Sequence, residues 1–134
     1  MNLLPALLAL LAAITGATAT ATAPARSVHG IAKYYSPGVF RQVALNRGLA
    51  LRSDVDGYAS VPYCSWIGHV LTARINRGPI ERFQVLDCSA PKDRPRHLRE
   101  NLVIEVDYSS ARGHGLLSNG HGPATVYYPY PYKK

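Results

Sequence analysis

Apolar and polar residues alternate along much of this chain with the period of two that is typical of β-strands. The clearest case is His69 to Ile75, where Leu71, Ala73 and Ile75 occupy one face. A turn at residues 76–79 follows, and Ile80 to Cys88 forms the predicted returning strand. Further strands are predicted at residues 28–35, near 59–62, at 102–106 and at 125–128.

Helical signals are short and few. Ser36 at the N-cap and Pro37 at the first helical position predict a helix that runs to Arg47, with Gly48 just past its end. Asp107 is predicted to cap a single helical turn at residues 108–111, and this capping role is favoured over a catalytic one. Residues 92–99 form a basic segment that is interrupted by proline. The pattern predicts one all-β domain with short helices.

The first 25 residues differ from the rest of the chain. Leu3 to Ile14 is almost entirely Leu, Ala and Ile, but a membrane-spanning helix needs roughly 20 such residues. Small residues at 16–25 offer A-x-A cleavage sites. We therefore expect a signal peptide at 1–25, a folded domain at 26–128 and a Tyr/Pro/Lys tail at 129–134. The product is expected to be secreted without a membrane anchor; an uncleaved hydrophobic anchor is the alternative.

The charge and the two cysteines constrain the partners. The chain has 15 Lys and Arg against 8 Asp and Glu, a net charge of +7. A basic exported protein is attracted to anionic surfaces, but its basic residues are scattered, so no nucleic-acid partner is expected.

Cys64 and Cys88 form an even pair, which favours a disulfide in an oxidising compartment over a two-ligand metal site. No metal, no cofactor and a monomer are expected.

Asp87 is the first candidate for chemistry. It ends a strand in which Phe83 and Val85 are predicted to share its face, so its carboxyl group would lie at the edge of the hydrophobic core. Partial desolvation raises the pKa of such a group and suits it to proton donation. The alternative is an aspartate that caps the following loop. Asp54 and Asp56 could supply a second carboxylate, or be solvated loop acids.

Aromatic side chains offer a second route to function. In a small exported domain their faces can pack on the apolar surfaces of sugar rings. For Trp66, packing over the disulfide is an equally good interpretation. The candidates for such a platform are Tyr34, Tyr35, Tyr58, Tyr63 and Trp66.

Four segments together resemble the rare-lipoprotein-A-like double-psi β-barrels, which are related to expansin and barwin domains. Residues 30–35 are similar to a G-x-A-x-x-Y opening, and residues 83–91 to a V-x-V-x-D-x-x-P strand end in an Asp-Cys variant. Residues 103–111 resemble an I-D-L-S-x-x-A segment, and residues 120–128 fit a closing G-x-x-x-V strand. The resemblance spans roughly residues 28–128.

The resemblance implies a six-stranded barrel with a polysaccharide groove centred on Asp87. Members either bind and loosen polysaccharide or cleave peptidoglycan as lytic transglycosylases, with the aspartate as general acid and base. The catalytic type carries a Thr-Ala-x-His stretch, whereas residues 59–63 contain no histidine; its upstream acid is missing too unless Asp54 or Asp56 substitutes.

We therefore expect an expansin-like protein that binds or loosens cell-wall polysaccharide, with Asp87, Tyr34, Tyr35, Tyr58, Trp66 and Asp56 at its site. Whether it is an enzyme stays open, and a lytic transglycosylase is the enzymatic alternative. A third hypothesis is a secreted effector or inhibitor that recognises a protein partner through residues 92–99 and the tail.

Overall fold

The computed structural model describes residues 26–129, so the predicted signal peptide and residues 130–134 of the tail lie outside the described residues. The strands are β1 (Arg26–Tyr34), β2 (Gly57–Val61), β3 (Val70–Ile75), β4 (Ile80–Cys88), β5 (Leu102–Val106) and β6 (Gly122–Tyr128). The helices are α1 (Val39–Arg47), α2 (Arg94–Arg99) and α3 (Tyr108–Gly113), with a 3₁₀ turn at Cys64–Trp66.

The six strands close into a barrel in the order β1-β5-β2-β4-β3-β6. The pairs β1–β5 and β2–β4 are parallel, and the other four contacts around the barrel are antiparallel. Closure leaves no strand edge unpaired. The predicted all-β fold with six strands and short helices is confirmed.

Alternate residues of each strand fill the barrel. Leu71, Ala73 and Ile75 are buried on the face that the sequence pattern predicts, and they pack against Phe83 and Val85 of the neighbouring strand. Burying an aliphatic or aromatic side chain of this kind stabilises the fold by about 1.5–3 kcal/mol.

Strand β4 departs from regular pairing just before its end. Ala59 pairs with Val85, but the next residue, Ser60, pairs with Asp87, so Leu86 is an extra residue on β4. Without this bulge Asp87 would pair with Val61, whose side chain lies in the barrel core. The prediction that Asp87 shares a face with Phe83 and Val85 is therefore wrong: the bulge turns its carboxylate to the outside of the barrel.

Helix α1 packs on the outside of β4. Its Phe40 and Ala44 bury Leu86 in a second, small cluster. The helix begins at Val39 rather than at Ser36, because Gly38 occupies the N-cap position with φ 80°, a left-handed conformation that glycine adopts at little cost. Gly48 ends the helix as predicted, and its N–H bonds to the carbonyls of Ala44 and Leu45.

The predicted disulfide is present between Cys64 and Cys88. It ties the 3₁₀ turn to the end of β4, one residue after Asp87. Closing a loop with a sequence separation of 24 stabilises the fold by about 3 kcal/mol in the chain-entropy treatment. The bridge therefore also anchors the segment that carries the candidate site.

Candidate functional site

A row of polar residues crosses the outside of the barrel on adjacent strands. Ser60 of β2 pairs with Asp87 of β4 on one side and with Glu105 of β5 on the other. Glu105 in turn pairs with Lys33 of β1. Because neighbouring strands lie about 4.8 Å apart, this register brings two carboxylates together with one hydroxyl between their strands.

Both oxygens of the Asp87 carboxylate accept hydrogen bonds. Arg47 Nη2, from the last turn of α1, lies 2.7 Å from Oδ1, and the Tyr35 hydroxyl donates to Oδ2 over 3.0 Å. The Asp87 side chain keeps 19% of its surface exposed. A partly buried ion pair with a charge-assisted hydrogen bond holds the carboxylate in one orientation.

Tyr35 lies at the centre of this arrangement. Its ring stacks on Phe40 of α1 at a centroid distance of 4.4 Å, which fixes its direction. Burial raises the pKa of its hydroxyl, a hydrogen bond from Ser60 opposes this, and the charges of Glu105 and Asp87 raise the pKa further. The hydroxyl therefore stays protonated and remains a donor toward Asp87.

Glu105 is the second carboxyl group of the site. Its burial raises its pKa above the usual range of glutamate, while the charge of Lys33 opposes the shift and that of Asp87 adds to it. The two acids therefore differ in environment: Asp87 is paired with two donors, and Glu105 is partly desolvated.

Tyr35, Arg47, Asp87 and Glu105 line an open cleft of about 540 Å³. One wall of the cleft is formed by the loop after β4 together with α2. This wall corresponds to the basic segment noted in the sequence at residues 92–99. The Ser89 hydroxyl lies 2.7 Å from Nδ1 of His97, and Asp93 forms an ion pair of 3.5 Å with Arg96. Each acid that lines the cleft thus has a basic neighbour.

The disulfide is connected to the same wall. Arg94 of α2 donates from Nε to the carbonyl oxygen of Pro62 over 2.8 Å, and its Nη2 lies 3.4 Å from Cys64 Sγ. The same Nη2 lies 3.4 Å from the Ser89 carbonyl oxygen. Arg94 therefore holds α2 against the two segments that the disulfide joins.

Of the residues that the sequence predicts for the site, Tyr35 alone joins Asp87 in this cleft. Tyr34 packs edge-on against Tyr108, and Tyr58 lines a separate cavity beside Phe40. Asp56 lies near the β3–β4 turn, where its Oδ2 accepts the Arg82 N–H over 2.8 Å. These residues do not form one continuous platform with Asp87.

Two of the predicted aromatic residues pack against the barrel core. Trp66 is 2% exposed and packs on Tyr128 at a centroid distance of 4.9 Å, so the prediction that it contacts substrate is wrong. It belongs to the core cluster inside the barrel. Tyr63 packs partly buried against the same core.

The remaining acids have local roles. Asp107 is the N-cap of α3, where its carboxylate accepts the Ser110 N–H over 3.0 Å. Asp54 is bonded by the Arg52 guanidinium, which holds the pKa of this exposed carboxyl well below its usual range. Asp54 therefore anchors a surface loop and does not supply a second carboxylate to the cleft.

The residues predicted from the sequence do not include Glu105 or Arg47, which line the cleft, or Ser60, which is buried between the strands of Asp87 and Glu105. A signal for Glu105 was present, because it stands where the I-D-L-S-x-x-A segment of the resembled family has its aspartate. Nothing in the pattern marks Arg47 or Ser60. Their contacts with the site depend on the docking of α1 and on the bulge in β4.

Within residues 26–129, no group of three or more His, Cys, Asp or Glu side chains is placed to hold a metal ion. Over the same range no helix has the length and apolar composition needed to cross a bilayer.

The barrel and its cleft place the chain among proteins of known fold. Comparisons with models of protein families and with curated proteins give no match. Among solved structures, the chain is similar to the expansin of Clavibacter michiganensis in its apo form, with a TM-score of 0.52 and 19% sequence identity. The match covers 81% of this chain and 53% of that one, so this chain spans about half the length of that expansin. At this identity the similarity shows the fold, and the predicted barrel of the expansin and rare-lipoprotein-A type is confirmed.

The pKa of Glu105 predicts how stability depends on pH. A carboxyl whose pKa is raised on folding costs free energy when it ionises, so its contribution falls as pH rises from about 4.3 through the raised value. Glu105→Gln removes this cost. Denaturant unfolding at several pH values should show the variant gaining stability relative to the wild type as pH rises through this window.

Asp54→Asn is the control with the opposite sign, because the lowered pKa of Asp54 contributes stability that is lost as pH falls. Asp54 is exposed, so its effect should be small. If the difference between Glu105→Gln and the wild type were independent of pH, a raised pKa at Glu105 would be excluded.

Proposed function

We propose that this protein is an exported, expansin-like protein that binds or loosens cell-wall polysaccharide in the cleft around Asp87. The observation that carries the proposal is the open cleft in which Asp87 and Glu105, on the two strands that flank β2, lie together with the Tyr35 hydroxyl. Carboxylates and hydroxyls held rigidly by their neighbours are suited to the hydroxyl groups of a sugar chain. The apolar leader predicted at 1–25 and the disulfide support an extracytoplasmic location.

The electrostatics of the cleft favour an uncharged stretch of glycan. Arg47 neutralises Asp87, Arg96 neutralises Asp93, and burial raises the pKa of Glu105 so that less of it is charged. A ligand of high charge would therefore meet no unpaired opposite charge here. Sugar hydroxyls can donate hydrogen bonds to these groups and accept hydrogen bonds from them without bringing a net charge into the cleft.

Binding is favoured over cleavage by the way Asp87 is held. A general acid must carry a proton on one carboxyl oxygen, yet both oxygens of Asp87 already accept hydrogen bonds from Arg47 and Tyr35. Release of a proton by Asp87 would require one of these donors to move. The present geometry thus supports recognition by Asp87 more directly than proton donation.

The position of α2 supports a glycan rather than a protein partner. Asp93 and His97 line the same cleft as Asp87, so the basic segment at residues 92–99 is a wall of this cleft rather than a separate recognition loop. The part of the tail beyond residue 129, which the effector hypothesis also requires, lies outside the described residues.

Retention on insoluble polysaccharide tests the proposal. We expect the purified protein to be retained on at least one of cellulose, chitin and peptidoglycan. Asp87→Asn should weaken retention roughly tenfold, since it removes the charge-assisted pairing that orients the side chain. Asp54→Asn makes the same change of charge outside the cleft and should bind like the wild type.

Both variants should be checked for unchanged melting temperature before binding is compared. Failure of the wild type to bind any of the three polymers would refute the proposal. Equal loss in Asp87→Asn and Asp54→Asn would show that the cleft is not the site.

A lytic transglycosylase is the second candidate, and the environment of Glu105 favours it. A partly desolvated carboxyl with a raised pKa is the type of group that protonates a glycosidic oxygen. In this alternative Glu105 is the acid, and Asp87 stabilises positive charge that develops on the sugar. The same carboxyl of Glu105 would then accept the proton of the sugar hydroxyl that closes the anhydro ring.

Product analysis separates the two candidates. Peptide-free glycan strands incubated with the enzyme should give anhydro-sugar ends, and Glu105→Gln should reduce their yield by at least roughly a hundredfold, the usual contribution of general acid catalysis. The non-catalytic proposal predicts no anhydro product from either protein. Equal yields from the wild type and Glu105→Gln would exclude Glu105 as the acid.

A further inference from the structure

A second large cavity lies at the opposite end of β4 from Asp87. Its volume is about 580 Å³, and it is lined by the β3–β4 turn, the start of β4, Asp56 and helix α3 with its C-cap His114. Glu81 of this cavity and Asp87 are six residues apart on the same strand, which corresponds to about 20 Å at 3.3 Å per residue. The two cavities share no lining residue.

The acidic wall of this cavity is held in place by neighbours. Glu81 contacts Nε2 of His114 through Oε1, and Asn76 donates to the carbonyl oxygen of His114 over 2.6 Å. Asp56 accepts the Arg82 N–H through Oδ2. Among residues 26–129, Asp56 Oδ1 and Glu81 Oε2 have no such partner, so each carboxylate retains one oxygen that can accept a hydrogen bond.

The cavity is also lined by Arg77, which is exposed and has no hydrogen bond or ion pair within residues 26–129. Its φ is 64°, and that of Asn76 is 49°. With the bond from the Gly78 N–H to the Ile75 carbonyl (2.9 Å), these angles indicate a type I′ turn, in which glycine is preferred at the second central position. Arginine is therefore held at a position that carries backbone strain.

We propose that this cavity binds an acidic sugar residue, a hexuronate. Its carboxylate pairs with the guanidinium of Arg77, for which planar, bidentate pairing is favourable. Its hydroxyl groups donate to the open oxygens of Asp56 and Glu81. A compact anion without hydroxyls is disfavoured, because it would face these two carboxylates with nothing to donate to them.

This site goes beyond the proposed function, since it takes a different class of sugar at a different end of the barrel. The net charge of +7 raises the local concentration of anionic glycan around the protein. Binding at two ends of one small domain would join a neutral and an acidic polymer. The strain at Arg77 is then explained by the contact that a glycine could not make.

Titration calorimetry with trigalacturonate and with its fully methyl-esterified form tests the proposal. The wild type should bind the acid and show at least tenfold weaker binding of the ester, which has the same hydroxyls and no charge. Arg77→Gly should reduce binding of the acid at least tenfold and raise the melting temperature, because glycine relieves the strained turn. The gain in stability shows that the loss is not due to misfolding.

Two further variants make the outcome decisive. Arg74→Gln removes one positive charge from an exposed position on the neighbouring strand, and Asp87→Asn alters the other cleft; both should bind the acid like the wild type. Equal losses in Arg77→Gly and Arg74→Gln, or equal binding of acid and ester, would overturn the proposal. Failure of the wild type to bind the acid would also overturn it. A loss of acid binding in Asp87→Asn alone would overturn it too, because it would place the acid in the Asp87 cleft.

Discussion

The extra residue Leu86 in β4 is the constraint on which the candidate site depends. It shifts the pairing with β2 by one position, so that Asp87 lies opposite Ser60 instead of Val61. A shift of one residue exchanges the two faces of a strand, and here it removes a carboxylate from the barrel core and places it in the row that contains Glu105. Leu86 itself is fully buried under α1, which makes the bulge favourable.

The helix that covers Leu86 also completes the site. Phe40 of α1 orients Tyr35 by stacking, and Arg47 at the other end of the helix reaches Asp87. Packing and chemistry are therefore coupled: the apolar contacts of one face of α1 determine which donors reach the carboxylate. On the other side of the cleft, the disulfide and Arg94 fix the loop that follows Asp87.

The barrel was predictable because it follows from the alternation of apolar and polar residues, from the turn residues and from the order of short motifs. The bounds of β4, the burial of Leu71, Ala73 and Ile75 and the disulfide follow from local patterns. The face of Asp87 was not predictable, since a bulge leaves the apolar pattern unchanged and depends on what covers Leu86. Arg47 and Ser60 reach the site through long-range packing, and the burial of Trp66 follows from contact with the distant Tyr128.

The central claim is that Asp87 and Glu105 act together on one ligand from β4 and β5, the two strands that flank β2. Carbon-detected NMR of the side-chain carboxyl groups tests it directly, with an oligosaccharide of the polymer that retains the protein. The account predicts that the carboxyl carbons of Asp87 and Glu105 shift together on titration, while those of Asp54 and Asp107 stay in place. Shifts at Asp54 or Asp107 without a change at Asp87 and Glu105 would contradict it.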